Sequence, residues 1–330
     1  MNPTVTLEDV YSPIDQKLER VPSAILEILA TPNELADEAI KHFFSSQGKL
    51  LRPALTLLGA ELKGIDSSLG ERALKLAASY EIFHSATLVH DDIIDSAFLR
   101  RSIPTINTKW NSQVAVLVGD YLHDKAIRAI FQNGNEAILN LFLETAGLVC
   151  DGEIHELHIK GNLNLSEAEY FQIIEKKTSV LLACCVEAGA RLAGATDQEA
   201  AALKRFGIHF GNAFQIVDDC LDFTGNEMEF GKTLGKDCME GVLTLPLIRL
   251  LQTANPAQKK EILATFGSSE DSSKYQTLLT MIKESGTLDY AVKCARDFAA
   301  KASRELSIFP NSPARRSLEK LVDYVIERNK

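Results

Sequence analysis

Two segments of this 330-residue chain each carry three aspartates in the same DDxxD spacing, at 91–95 and at 218–222. On a helix, the first and last aspartates of such a segment project from one face, one turn apart. Like charges at that spacing repel each other, and each segment directly follows an apolar stretch, where desolvation raises the cost further. A divalent cation that prefers oxygen ligands removes both penalties, and Mg²⁺ typically binds one or two carboxylates together with substrate phosphates.

A single segment of this kind could equally be a solvated acidic helix end. Two copies in one chain weaken that alternative, because neither has a Lys or Arg four residues away that would neutralise its aspartates. The pair therefore predicts two metal-binding clusters that act on an anionic ligand.

Cations occur where an anionic ligand would need them. They are Lys49 and Arg52 at the start of an apolar stretch, Arg100 and Arg101 shortly after the first cluster, and Lys177, Lys232 and Lys236 near or after other apolar stretches. A guanidinium can bind phosphate oxygens in bidentate fashion, whereas Lys acts as a point charge. Each residue alone could be an ordinary surface charge, but the set predicts two separate anionic groups beside a metal cluster.

Composition excludes several other classes of protein. The formal charge of −10 argues against a nucleic-acid partner held by a general basic surface. No apolar run approaches the ~18–20 residues of a membrane span, and the N-terminus lacks the basic and apolar regions of a secretory signal. The six cysteines form no CxxC pair and no disulfide-like framework, so we expect a reduced, cytoplasmic protein.

Long helices are the elements expected to position these residues. Only 19 Gly and 10 Pro punctuate the chain, and apolar residues follow the helical period over 54–62, 73–88 and 200–221. We find no alternating run long enough for a strand, and residues 267–273 (GSSEDSS) indicate a surface connection between helices. The segment 153–158 (EIHELH) resembles a zinc helix, but its histidines stand three apart rather than four, which favours an ordinary helix. The expected fold is all-α, with residues 1–330 forming one domain.

From about residue 40 to the C-terminus, the chain resembles the trans-isoprenyl diphosphate synthases, or polyprenyl synthetases. The matching motifs are GKLLRP at 48–53, HSATLVHDDIID at 84–95, RRSIPTIN at 100–107, Gly119-Asp120, Lys177-Thr178, FQIVDDCLDF at 214–223 and GKTLGKDCMEGVLTLPL at 231–247. The resemblance implies an antiparallel helical bundle around a central cavity and a homodimer. It also implies head-to-tail condensation of isopentenyl diphosphate with an allylic diphosphate.

The resemblance also assigns roles to individual residues. Asp91 and Asp95 would bind Mg²⁺ at the first motif, supported by Asp92, and Asp218 would bind it at the second, with Asp219 and Asp222 nearby. The isopentenyl diphosphate site would consist of Lys49, Arg52, His84 and Arg101. The allylic site would consist of Arg100, Lys177, Thr178, Gln215, Lys232 and Lys236. Metal ions and cations would stabilise the departing diphosphate, and water must be excluded or it would capture the allylic cation.

Two departures from the family pattern fall close to these cations. Leu50 stands where the family usually has Arg, and Ser102 stands where it usually has Gly. Neither departure removes a charge assigned to catalysis. Ser102 could change the loop after Arg101, since Gly tolerates backbone angles that Ser does not.

Product length is expected to depend on the helix that leads to the first motif. Ala86 lies five residues before Asp91, where relatives that make farnesyl diphosphate tend to carry a bulky aromatic residue. Phe83 lies on the same face and could act as a deeper floor. We therefore expect a product longer than C15, with C30–C50 favoured.

Three alternatives remain open at this stage. The first is a geranylgeranyl diphosphate synthase (C20) in which Phe83 stops the chain. The second is a non-catalytic subunit of a heteromeric prenyltransferase, although such subunits usually lose one aspartate motif. The third is a terpene cyclase, which commonly lacks the isopentenyl-binding cations.

Overall fold

The computed structural model describes residues 5–46, 48–224, 236–266 and 272–328. Its helices are α1 (Leu7–Tyr11), α2 (Asp15–Leu18), α3 (Val21–Leu29), α4 (Glu34–Phe43), α5 (Leu51–Glu61), α6 (Ser67–Ile94), α7 (Ile106–Lys109), α8 (Ser112–Asn133), α9 (Glu136–Ile159), α10 (Glu167–Ile174), α11 (Val180–Leu192), α12 (Asp197–Thr224), α13 (Lys236–Met239), α14 (Leu245–Thr253), α15 (Pro256–Thr265), α16 (Ser272–Glu284), α17 (Thr287–Glu305) and α18 (Pro313–Glu327). A π-helical turn, Glu175–Ser179, joins α10 to α11, and a 3₁₀ turn, Leu306–Ile308, follows α17.

Two 28-residue helices, α6 and α12, form the centre of the bundle and each ends at an aspartate motif. Helix α6 packs mainly on α8, and α12 packs on α11 and α17. The buried apolar residues form one core that extends from Val10 in α1 to Val325 in α18. The predicted all-α fold is confirmed, and the three apolar stretches at 54–62, 73–88 and 200–221 lie almost entirely in α5, α6 and α12.

A short hairpin corrects the expectation that the chain has no strands. Strands β1 (Leu99–Arg100) and β2 (Ile103–Pro104) pair antiparallel, and they are the only β structure in the described ranges. The two turn residues, Arg101 and Ser102, both have left-handed φ values, of 49° and 65°. Such two-residue turns match the twist of a hairpin. The alternating pattern fails to announce this hairpin because its strands have only two residues each.

Two further sequence expectations concern the surface. Most of the expected connection at 267–273 lies outside the described residues, since α16 begins at Ser272. Within the described part of the chain, no helix is both long enough and apolar enough to span a bilayer.

Candidate active site

A cleft of about 200 Å³ lies between the end of α6, helices α9, α10 and α12, the π-helical turn, and residues 237–244. The predicted site residues among its lining are Asp95, Lys177, Thr178, Gln215 and Asp219. The structure thus brings both aspartate motifs and the predicted allylic side to one space, although they are more than 120 residues apart in the chain.

The first aspartate motif occupies the last turn of α6. Asp92 is 3% exposed, and both of its carboxylate oxygens accept hydrogen bonds from Arg100 Nε and Nη2 at 2.7–2.9 Å. The hairpin returns Arg100 to this position eight residues further along the chain. Arg100 is therefore the counterion of the buried Asp92 carboxylate. The resemblance gave Asp92 a supporting role beside the metal-binding aspartates.

Asp91 lies in a less favourable environment for a negative charge. Burial raises the pKa of Asp91 to about 7, with further contributions from the carboxylates of Glu153 and Asp95. The cations Lys177 and Arg100 offset this only in part. A desolvated carboxyl group surrounded by other carboxylates is a position where a divalent cation would restore the charged form.

In the second aspartate motif, neutral side chains donate hydrogen bonds to the middle aspartate. Asp219 is 5% exposed, and its two oxygens accept from Tyr170 Oη at 2.6 Å and from Gln215 Nε2 at 2.9 Å. Thr178 Oγ1 donates in turn to Gln215 Oε1 at 2.8 Å. Burial and the nearby carboxylate of Asp237 raise the pKa of Asp219 well above its usual value, and the two hydrogen bonds offset this only in part.

Asp218 and Asp222 lie at the edges of the same turn of α12. Asp218 keeps 47% of its side chain exposed and pairs with Arg328 Nη2 at 2.5 Å. Asp222 Oδ2 accepts a hydrogen bond from the backbone N–H of Asp237 at 3.3 Å. Among the three aspartates, Asp218 is the most exposed.

The donor set fits metal ions that are shared with a phosphate ligand. In the described ranges, no three His, Cys, Asp or Glu side chains stand close enough to hold a metal by themselves. Mg²⁺ in phosphoryl sites usually takes one or two carboxylates and completes its shell with phosphate and water oxygens. Asp91 and Asp95 in the first motif and Asp218 in the second could serve in that way, whereas both Asp219 oxygens are already engaged by protein donors.

Two predicted isopentenyl-site residues, Arg52 and His84, form a half-buried electropositive cluster where α5 begins. Burial lowers the pKa of Arg52 despite the neighbouring Glu81, and Arg52 Nε has no hydrogen-bond partner. Burial also lowers the pKa of His84 well below its usual value, helped by Arg52 and Arg101. A neutral imidazole beside two guanidinium groups is an arrangement that can bind a diphosphate with both hydrogen bonds and charge.

The other two cations of this side are anchored by partners from distant segments. Lys49 Nζ lies 3.3 Å from Tyr324 Oη, in the last turn of α18. Arg101 Nη1 donates to the carbonyl oxygen of Ser46 at 2.9 Å. Both residues are exposed, unlike Arg52 and His84.

Lys177 stands on the π-helical turn, a feature often found at functional sites. Its Nζ pairs with Glu153 at 3.0 Å and with Glu156 by a short contact. Burial lowers the pKa of Lys177, but these two carboxylates outweigh that effect and raise it above its usual value. Glu153 and Glu156 of the segment 153–158 therefore line the cleft. The sequence did not indicate this role, because only the fold places the two glutamates beside Lys177.

Comparison with known proteins now decides the family. The polyprenyl synthetase family, represented by its sequence model, matches residues 33–282. The chain belongs to the polyprenyl synthetase family. The resemblance found in the motifs is thereby confirmed, and with it the assignment as an enzyme of the prenyltransferase class.

Individual relatives agree with the family over nearly the whole chain. An all-trans-nonaprenyl-diphosphate synthase (geranyl-diphosphate specific) of Rhodobacter capsulatus is 37% identical, over 97% of this chain and 98% of its own length. A geranylgeranyl diphosphate synthase of Saccharolobus solfataricus is 34% identical, over 89% of this chain and 90% of its own. The crystal structure of a Caulobacter crescentus polyprenyl synthase complexed with calcium and isoprenyl diphosphate superimposes with a TM-score of 0.93 at 31% identity and covers 100% of both chains.

Four predicted site residues of this polyprenyl synthetase have no described contact in the cleft or in the isopentenyl-side cluster. Lys232 lies outside the described residues, and Lys236 opens α13 with a side chain that is likewise not described. Ala86 and Phe83 are buried, 2% and 1% exposed, and neither lines the cleft. Their roles in product length stay predictions.

The synthetase also uses residues that the sequence did not single out. Tyr170 and Arg328 hold the second motif, and no local spacing links either of them to it. His90 fixes the end of α6 against α8, with Nε2 at 3.2 Å from the carbonyl oxygen of Val116. Its ring lies so close to Gly119 that a Cβ there would stand 2.2 Å from Nε2. This close approach gives a physical reason for the Gly119 of the family motif.

Proposed function

We propose that this protein is a Mg²⁺-dependent synthase that condenses isopentenyl diphosphate head-to-tail with an allylic diphosphate to give an all-trans-polyprenyl diphosphate. The observation that carries the proposal is the convergence of both aspartate motifs and Lys177 on one cleft, with a second, partly exposed cationic cluster formed by Arg52 and Arg101 beside His84. Two diphosphate substrates need two such anion sites.

The reaction breaks the C1–O bond of the allylic substrate, and diphosphate leaves with the electron pair. Carbon C1 then bonds to the terminal alkene carbon of isopentenyl diphosphate, and loss of a proton restores a double bond. Mg²⁺, when bound, would supply the Lewis acidity that stabilises charge on the departing diphosphate. Lys177 would add a fixed positive charge on the same side, positioned by Glu153 and Glu156.

The isopentenyl diphosphate would be oriented by the half-buried cluster at the start of α5. Arg52 and Arg101 would grip its diphosphate, and the neutral His84 would donate or accept a hydrogen bond without adding to the charge. The apolar core behind these residues would exclude water, so that the allylic cation reacts with the alkene rather than with solvent.

We propose a product of C30–C50. The nonaprenyl synthase relative from Rhodobacter capsulatus supports this length, and Ala86 places a small, buried side chain on α6. The alternative is a C20 product, supported by the geranylgeranyl synthase relative and by the packing of Phe83. The Phe83 ring contacts those of Phe142 and His123, with centroid distances of 4.9 and 5.4 Å.

A product assay tests the proposed reaction. Purified protein with Mg²⁺ and labelled isopentenyl diphosphate would receive dimethylallyl, geranyl, farnesyl or geranylgeranyl diphosphate, and the products would be sized by chromatography. Products of C30 or longer are expected. A stop at C20 would make Phe83 the floor, and no elongation with any primer would favour the non-catalytic subunit.

Substitution Ala86→Phe tests whether the growing chain passes this position. We expect shorter products, because the new ring would block the path along α6. Ala86→Ser is the matched control and should leave product length unchanged. An unchanged length in Ala86→Phe, in protein whose melting temperature shows that it still folds, would contradict the path.

We also propose that the synthase is a homodimer. Among its most exposed large apolar side chains are Leu117 and Phe131 on α8 and Ile154 on α9, each at least 66% exposed. Apolar surface of this kind often marks an interface. Light scattering would then give twice the chain mass, and Leu117→Glu should shift it toward that of one chain. The cytoplasmic location stays a prediction.

A further inference from the structure

The last turn of α18 contacts both candidate diphosphate sites. Tyr324 and Arg328, four residues apart, lie on the same side of this helix end. Tyr324 Oη lies 3.3 Å from Lys49 Nζ, on the isopentenyl side. Arg328 Nη2 lies 2.5 Å from Asp218 Oδ1, on the side of the second aspartate motif. The C-terminal helix therefore bridges two positions that both face substrate in the proposed reaction.

Arg328 is held firmly in this position by contacts with α12. Nη2 also donates to the carbonyl oxygen of Phe214 at 3.1 Å, and the guanidinium carbon lies 4.2 Å from the centre of the Phe214 ring. The Arg328 side chain is only 12% exposed, and its buried Nε has no hydrogen-bond partner. Such an environment is costly for a cation without a carboxylate next to it.

The carboxylate that neutralises Arg328 is the one most available to a metal in the second motif. Its partner, Asp218, is 47% exposed. A guanidinium and a divalent ion on one carboxylate repel each other, so binding of one disfavours the other. Because the carboxylate of Asp218 is half exposed, a metal ion can reach it from solvent.

We propose that Arg328 is the counterion of Asp218 in the unliganded enzyme, and that metal binding at the second motif displaces it and loosens the last turn of α18. This inference rests on the proposed function, because it assumes that Asp218 is a metal ligand. Arg328 is then a positioning residue that acts through Asp218. The order of the last turn of α18 then depends on whether the second motif holds a metal. The contact of Tyr324 with Lys49 couples this change to the isopentenyl side.

The first test measures metal affinity without any reaction. Mn²⁺ alone would be titrated into the full-length protein, with free Mn²⁺ followed by electron paramagnetic resonance. Arg328→Gln should bind Mn²⁺ about three- to tenfold more tightly than the unsubstituted protein, because the competing cation is gone. Asp218→Asn combined with Arg328→Gln should abolish that gain, which separates the second motif from any other Mn²⁺ site.

A matched control comes from the same helix. Arg316 is exposed and donates from Nη1 to Asn311 Oδ1 at 2.7 Å. Arg316→Gln should leave Mn²⁺ affinity unchanged. Equal affinity in Arg328→Gln and the unsubstituted protein, or weaker binding in Arg328→Gln, would overturn the proposal.

The second test follows the helix end itself by hydrogen exchange. The amide of Arg328 donates to the carbonyl oxygen of Tyr324 at 3.1 Å, so exchange in the last turn reports its opening. Mn²⁺ should speed exchange there in the unsubstituted protein, whereas in Arg328→Gln exchange should be fast with and without metal. Slower exchange on adding Mn²⁺ would contradict displacement.

The outcomes separate this inference from the proposed function. If the unsubstituted protein elongates allylic diphosphates but Arg328→Gln binds Mn²⁺ no more tightly, only the displacement of Arg328 is wrong. If no elongation occurs while Mn²⁺ affinity and exchange change as expected, the displacement stands and the proposed reaction is wrong.

Discussion

The two aspartate motifs have the same spacing, but the protein embeds their middle residues in different ways. Asp92 of the first motif is neutralised by a cation, Arg100, through a two-pronged ion pair. Asp219 of the second is held by neutral donors, Tyr170 and Gln215, and its pKa is raised by burial. In both motifs the middle aspartate is the most buried of the three, and its partners fix the helix turn.

The aspartates that flank these middle residues also differ in burial and in charge environment. Asp91 is desolvated and lies near other carboxylates, so burial raises its pKa to about 7. Asp218 is half exposed and already paired with Arg328. Near the proposed metal site of the first motif, Lys177 and Arg100 therefore offset the burial of Asp91 only in part, whereas the second motif contains a cation that must move. Identical motifs thus predict a shared ligand class without predicting the same local electrostatics.

The largest effect is expected on breaking the ion pair of the first motif. Arg100→Met leaves the carboxylate of Asp92 buried without its counterion, and we expect the free energy of unfolding to fall by about 2–3 kcal/mol, since Arg100 itself is partly exposed. Urea denaturation measures this. Arg128→Met is the control, because its pair with Asp124 is exposed, and it should change the stability very little. Equal losses in both variants would remove the contrast between the motifs.

Gly119→Ala should have the next largest effect. The added methyl group would collide with the ring of His90, the residue that precedes Asp91, and the clash should cost about 2 kcal/mol and lower activity. Gly147→Ala in α9 is the control, because nothing lies within 4 Å of a Cβ there, and it should be neutral or stabilising. Unfolding in urea and the elongation rate would be compared. Full activity in Gly119→Ala would show that the end of α6 tolerates displacement.

Tyr170→Phe tests how much the neutral hydrogen-bond donors stabilise Asp219 in the second motif. It removes one hydrogen bond to Asp219 while Gln215 still donates another, so we expect a loss of about 1 kcal/mol in unfolding free energy. Tyr121→Phe on α8, whose ring lies under Lys125, should change little. A loss as large as that of Arg100→Met would mean that the two motifs are equally dependent on their partners.

The smallest effect is expected at the hairpin that carries Arg100. Ser102 has a φ of 65°, which costs a side-chain-bearing residue more than Gly, so Ser102→Gly should stabilise the protein by about 0.5 kcal/mol. Ser303→Gly inside α17 should instead destabilise it by a similar amount. Thermal unfolding of both variants would check the sign. Destabilisation by Ser102→Gly would mean that the turn does not limit the hairpin.

Much of this arrangement follows from local sequence. Helical periodicity predicts the two long helices, and DDxxD spacing places two carboxylates on one face of each. Lys49 and Arg52 are correctly predicted to open a helix, since α5 begins at Leu51. The φ of Ser102 lies in the region where Gly is favoured, which gives a physical reason for the Gly that the family usually has at this position.

The remaining features depend on tertiary contacts that no spacing encodes. Arg328 reaches Asp218 from 110 residues away, and Tyr170 reaches Asp219 from 49 residues away. The sequence shows no cation four residues from either motif, and the protein supplies Arg100 and Arg328 from a hairpin and from another helix instead. Glu153 and Glu156 were missed for the same reason, since only the fold places them beside Lys177.

The central claim is that both motifs bind divalent metal around one diphosphate group. The most direct measurement is anomalous diffraction from crystals grown with Mn²⁺ and an unreactive thio analogue of an allylic diphosphate. We predict Mn²⁺ peaks beside Asp91 and Asp95 and a separate peak beside Asp218, all in contact with the diphosphate of the analogue. Peaks at only one motif, or a diphosphate bound away from both, would contradict the account.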